Sequence, residues 1–318
     1  MPTATLERPP EAETPTSEPY TGPTVGQLVQ RNAVIFRVTT AQFGQAKKLD
    51  RSQYQVDADR DYVKAQKLLL ACDETKAIGG LFSEVRTYLE SVSCPSNFKR
   101  GDYLLPIELL LEVDQRMAEF QARLKVLLGR LVDNYRAILD DERRRLLSLF
   151  NPADYPVAQE VAGRYFIRWQ YLALATPTGL PEAIAAREQA KLAEAWEEAG
   201  EGVQQLLRAE LAALVGHLEE RLTGTTDGKP KIFRDSAVEN ITEFLAKFNP
   251  RNVTNDAEAA LLAQRVRELL AGIEPQALRT DAALRERVRS GFSAVTAQLD
   301  ELMVNRPKRR LFSLEEGG

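Results

Sequence analysis

A mainly α-helical fold, built around a long antiparallel helical hairpin of coiled-coil character, is predicted by three features of the sequence. Apolar residues recur at helical spacing through 106–150 and again through 181–222, and no internal proline crosses either run. Three shorter amphipathic stretches fill the last third of the chain. Aromatic residues make up 7% and charged residues 28% of the 318, a balance that suits a helix-rich protein with enough Leu, Val and Ile for a core.

Residues 1–24 carry repeated prolines among Thr, Glu and Ser and read as a disordered acidic tail, because such a composition buries too little apolar surface to offset its ordering entropy. Residues 25–105 read as a small mixed α/β body. Within it, Ala33-Val34-Ile35-Phe36-Arg37-Val38-Thr39-Thr40 has the β-branched density of a strand. Residues 59–72 and 73–92 read as two helices divided near Cys72, and 94–103 as a hairpin turning at Gly101. These pieces suit a minor sheet beside the long helices.

Residues 106–222 hold the hairpin and an aromatic segment between its arms. The first seam runs Leu110, Val113, Met117, Phe120, Leu124, Leu127 and Leu131 in steps of three and four, then stutters to Tyr135 and Ile138. At 1.5 Å per residue such a helix is about 65 Å long. The second seam carries Ile184, Leu192, Trp196 and Ala199 in an alanine-rich first half and continues through Val203, Leu207, Leu211, Leu214 and Leu218, with Gly200 and Gly202 marking a site for a kink. Between the two, Tyr165 to Leu172 fits a strand with Ile167, Trp169 and Tyr171 on one face, and fits a short buried helix nearly as well. Pairing within one chain is the economical use of two such helices, and an intermolecular coiled coil is the alternative. Residues 223–304 read as a bundle of three helices, and 305–318 as a disordered tail that is first basic and then apolar.

Composition excludes several chemistries. The 42 Lys plus Arg against 46 Asp plus Glu argue against a wholesale basic footprint, though not against a local patch. His217 is the sole histidine, so neither a His-rich metal site nor catalysis through a second histidine can be built. Cys72 and Cys94 form no C-x-x-C pair and read as reduced thiols of a cytoplasmic protein. No stretch reaches the roughly 18 uninterrupted apolar residues of a membrane span. The opening MPTATLERPPEAETPTSEPY lacks the basic start and apolar core of a signal peptide.

Motifs that approach a known chemistry fall short of it. Asp57, Asp59 and Asp61 open like a calcium loop, but Tyr62 and Leu68 stand where glycine and a bidentate Glu are required. Gly224-Thr225-Thr226-Asp227-Gly228-Lys229-Pro230 is one residue too short for a phosphate loop and has proline where Ser or Thr would hold magnesium. No cofactor, metal or catalytic residue is therefore assigned. Two clusters remain as candidate partner-binding sites. Arg143, Arg144 and Arg145 close the densest charge run, which a helix spreads around its circumference. Lys308, Arg309, Arg310, Leu311 and Phe312 have the form of a docking peptide, with basic residues ahead of two apolar anchors. Both clusters also suit phosphate contacts, so a nucleic-acid-associated phage or mobile-element protein is the second reading. An enzyme with an unrecognised carboxylate site is the third.

Three stretches together resemble the bacterial and phage family known as domain of unknown function 3150. They are 34–49 with its Lys47-Lys48-Leu49, the Phe98-Lys99-Arg100-Gly101-Asp102-Tyr103-Leu104-Leu105-Pro106 hairpin before a long helix, and the 166–177 run before the second one. The resemblance extends over 32–303. It implies a non-enzymatic adaptor working beside a MoxR-type AAA+ ATPase and a von Willebrand factor A protein, because members are encoded next to these; it supplies no catalytic residues. The expected function is a scaffold whose long helices offer an extended protein-binding surface.

Overall fold

The computed structural model describes residues 22–58, 62–94, 101–222 and 235–304. These fold into a mainly α protein with a three-stranded antiparallel sheet. Helix α1 (Val25–Asn32) leads directly into strand β1 (Ala33–Ala41), followed by a small hairpin of β2 (Ala46–Lys48) and β3 (Gln66–Leu68). Helix α2 (Asp73–Val92), strand β4 (Asp102–Pro106) and the 37-residue α3 (Leu110–Leu146) come next. Short α4 (Ala158–Gly163) and strand β5 (Phe166–Leu172) connect to the 41-residue α5 (Glu182–Leu222). Helices α6 (Asp235–Arg251), α7 (Ala257–Leu270), α8 (Pro275–Thr280) and α9 (Ala282–Val304) complete the described chain.

Sheet order is β4-β1-β5, with Phe36 opposite both Tyr103 and Tyr171. Alternation along the strands sends Val34, Phe36, Val38, Ile167 and Trp169 to one face, where they pack on α2 and α3. The first core therefore runs from Phe36 to Ile167 and takes in Val113, Met117, Phe120, Leu124, Leu131, Tyr135 and Ile138, the seam read from the sequence. On the opposite face, Ala33, Ile35 and Leu104 meet α1 and the Trp196 and Val203 side chains of α5. A separate core joins the second half of α5 to α6, α7, α8 and α9.

The two long helices do not form the expected hairpin. The apolar stripe of α3 is covered by α2 and the sheet, and that of α5 by α1, α6 and α9, so no core residue of one lies in the cluster of the other. Competing partners explain the difference: each stripe is satisfied by elements that the periodicity alone did not assign to it. Within 106–222, α3 thus belongs to the first core, while α5 meets the opposite face of the sheet with Trp196 and Val203 and the C-terminal core with its second half.

Three smaller expectations are also corrected. Residues 62–72 form no helix, because Gln66–Leu68 pairs with Ala46–Lys48, with Lys47 opposite Lys67. Helix α5 runs unbroken through Gly200, which serves close helix packing instead of a kink. Helix α6 continues one residue past Pro250, to Arg251. Of the two forms considered for 165–172, the strand is the one adopted.

Candidate functional site

Arg143, Arg144 and Arg145 lie exposed on the last turn of α3, where basic side chains also complement the helix dipole. Arg144 Nη2 is 3.1 Å and Arg145 Nε 2.6 Å from the Asp141 carboxylate, while the Arg143 guanidinium lies 5.1 Å from the centre of the Phe150 ring. The trio thus answers local partners and makes no one-sided basic patch. Lys308, Arg309, Arg310, Leu311 and Phe312 lie outside the described residues, as do the 224–230 loop and 59–61. His217 is exposed on α5 and accepts a 3.4 Å hydrogen bond at Nε2 from Arg221. Among the described residues, no group of three or more His, Cys, Asp or Glu is placed to hold a metal ion, and no helix is long and apolar enough to cross a membrane.

The densest buried chemistry was not foreseen. Asp154, its side chain 1% exposed, sits between Lys47 and Lys67 at the turn that follows α3. Lys67 Nζ is 2.6 Å from Asp154 Oδ2, an ion-pair contact more than an aligned hydrogen bond, and donates to the Leu149 carbonyl at 2.5 Å. Next to it, the buried Glu142 accepts from the Ala71 amide at 3.0 Å and from the Tyr155 hydroxyl at 2.8 Å. Burial on its own would raise the Asp154 pKa and is the largest single influence. The two ammonium groups together outweigh it, and the carboxyl is held below its ordinary value. Tyr155 is pushed far up, first by burial and then by Glu142. Two lysines and two carboxylates balance in charge and tie the β2–β3 hairpin to the end of α3. Lys47, Asp154 and Tyr155 stand in two segments that the sequence marks, but the buried Lys67 and Glu142 lie elsewhere in the chain and no local pattern joins them.

Two of the open surfaces among the described residues bear on binding. A cleft of about 570 Å³ lies between α2 and β1, floored by Phe82, Val85 and Leu89 and edged by Arg86, Thr39 and the Arg37–Asp102 ion pair. The second is the start of α5. Its first buried side chain is Trp196, so residues 182–195, about 20 Å of helix, carry none. That stretch is alanine-rich and braced by Glu188 with Lys191 at 3.0 Å, which favours helix without tertiary support. Where the body begins, Glu197 caps α1, accepting from the Thr24 hydroxyl and from the Gly26 amide at 3.0 Å.

No protein-family model matches the chain, and no curated protein or solved structure matches it.

Proposed function

We propose that this protein is a non-enzymatic scaffold or adaptor that presents an extended helical surface to protein partners. The observation that carries the reading is the start of α5: three to four turns of helix without one buried side chain, bearing exposed Ile184 and preceded by exposed Leu174. Over that length only the half-buried Leu192 touches a core, so the stretch serves presentation better than stability. The clasp of α1 on α5 holds its base rigid, so the arm is fixed in direction as well as exposed. The buried ionisable groups support the same reading, since Lys67, Asp154 and Glu142 are engaged with one another's neighbours and the backbone as parts of the fold.

The partners proposed are a MoxR-type AAA+ ATPase and a von Willebrand factor A protein, on the resemblance in element order alone. The test is co-purification of the full chain with each of these two proteins from one genome. Wild type is expected to retain at least one of them, and Ile184→Asp with Lys191→Glu to lose it while keeping its helical circular dichroism. Equal retention by both forms, or by neither, overturns the reading.

A further inference from the structure

We propose that the free edge of β5 and the outward flank of α3 together form a two-fold interface with a second copy of this chain. The direction of the main-chain groups comes first. Val38 donates its amide to the Gly101 carbonyl, so Val34, Phe36, Val38 and Thr40 turn their main-chain groups toward β4, and Ile35, Arg37, Thr39 and Ala41 toward β5. In register, Phe166, Arg168, Gln170 and Leu172 answer β1, leaving Ile167, Trp169 and Tyr171 with N–H and C=O directed outward. The Ile167 carbonyl confirms this by accepting from Gln121 Nε2 at 2.9 Å. The main-chain groups of Trp169 and Tyr171 meet no protein partner among the described residues. The opposite edge is closed, because the outward Leu104 carbonyl accepts from the Cys94 amide at 2.8 Å. An uncovered edge strand is a template for another strand.

The flank of α3 beside that edge carries a short apolar row. Asp114, which accepts from Trp169 Nε1 at 2.9 Å and Tyr171 Oη at 3.1 Å, and Gln121 mark the side of α3 that touches β5. Within roughly a quarter turn further round lie Leu111, Ala118 and Ala122, all exposed, Leu111 to 88%. A single added peptide strand would extend only the sheet layer. A second copy adds a strand to the sheet and a helix to the layer beneath in one operation.

The spacing suits that occupant. Asp114 reaches Trp169 and Tyr171 while Gln121 reaches Ile167, so α3 runs antiparallel to β5 and the level of Trp169 falls near residues 116–117. A two-fold axis at Trp169 pairs Trp169 with its own copy, Ile167 with Tyr171 and Arg168 with Gln170, so no like charges oppose in the sheet. The same axis sets exposed Leu111 of one α3 at the level of Ala122 of the other, large against small. It also brings acidic Glu108 level with basic Lys125.

Sedimentation equilibrium on the full chain, from about 1 to 100 µM, tests this, since a micromolar Kd shows across that range. The wild type is expected to reach twice its 35.6 kDa mass. Ala118→Glu with Ala122→Glu is expected to weaken the dimer at least about tenfold without loss of helical signal. Should that pair lower the melting temperature, Leu111→Gln at its fully exposed position reads the same surface. A monomer at every concentration overturns the proposal, including one that binds an extended peptide at β5. So does a dimer whose Kd none of these substitutions moves. The measurement needs no partner protein, so its outcome is independent of the adaptor reading.

Discussion

Gly26 of α1 and Gly200 of α5 lie where their two helices cross, each against the other's backbone. A Cβ on Gly26 would stand 2.7 Å from the Trp196 carbonyl carbon and the Glu197 nitrogen, and one on Gly200 2.6 Å from Val25 Cγ1 and 3.0 Å from the Val25 carbonyl carbon. Glycine inside a helix ordinarily costs stability, so alanine there is a gain. At these two positions the sign reverses: Gly26→Ala and Gly200→Ala are expected to destabilise by about 1–3 kcal/mol through overpacking. Gly129 of α3 is the internal control, with open space at its Cβ, and Gly129→Ala is expected to stabilise by roughly 0.4–1 kcal/mol. Urea midpoints of the three variants decide it, and a shift of the same sign in all three would remove the close crossing as the reason for the glycines.

The Lys47–Asp154–Lys67 cluster makes stability depend on acid. The folded pKa of Asp154 is lower than its unfolded one, so its contribution is complete above the unfolded value, about 3.9, and is lost as pH falls through the folded value. Urea unfolding from about pH 6 down to about pH 2 is expected to show a shallower loss for Asp154→Asn than for wild type across the acid end. Lys67→Met, which removes the ammonium that is 5% exposed, is expected to cost about 3 kcal/mol at neutral pH, because it breaks a buried pair from one side. If Lys67→Met together with Asp154→Leu cost as much as the two single changes added, the two groups would not be coupled and the cluster would be no clamp.

Burial separates the two thiols. Cys94 Sγ donates to the Arg251 carbonyl at 3.4 Å, and burial, opposed in part by the Arg251 charge, pushes its pKa up to about 12. Cys72 is also raised, again first by burial, but is only half-buried beside Thr75. At pH 8 a thiol-disulfide reagent is expected to find Cys72 alone, slowly, in the native protein and both thiols in guanidinium, since the thiolate is the reacting form. Cys72→Ser should abolish the native reaction. Rapid labelling of Cys94 in folded protein would mean that the joint between α2 and α6 opens far more readily than its packing implies.

How far the sequence could be read follows from the range of each signal. Periodicity within one helix placed α3 and its stripe closely, with Val113, Met117, Phe120 and Leu124 all in the core, whereas on α5 Ile184 is exposed and Val215 is buried beside the half-buried Leu214. What periodicity does not carry is the partner. A stripe that ends at Ile138 is equally content against another long helix or against α2 and a sheet, and the hairpin was the wrong one of these. The misread of 62–72 has the same origin, since Lys67 and Leu68 look helical until Lys47 stands opposite. Of the arginine cluster, exposure was legible and pairing in part, because Asp141 lies three and four residues before Arg144 and Arg145. The Asp154 cluster joins residues 87 and 107 positions apart, and no local spacing announces it.

Arg251 shows how the two cores are held together, and its geometry yields a ranking that a simple charge argument would not. The side chain is 4% exposed at the end of α6. Its Nε donates to the Ser93 carbonyl at the end of α2 at 2.9 Å, Nη1 and Nη2 reach the Glu210 carboxylate of α5 at 3.3 and 2.7 Å, and the guanidinium lies 5.6 Å from the Phe244 ring centre. Three elements thus meet on one planar fork. Lysine keeps the charge but offers a point donor, which can serve the Ser93 carbonyl or the carboxylate but not both in these directions. Arg251→Lys is therefore expected to cost about 2–4 kcal/mol and to be no better tolerated than Arg251→Met, which leaves no buried charge and frees the half-exposed Glu210 to water. Urea unfolding of the two variants and of Glu210→Gln measures this. Were lysine within about 0.5 kcal/mol of wild type while methionine was not, charge alone would hold the joint, and the fork would be incidental.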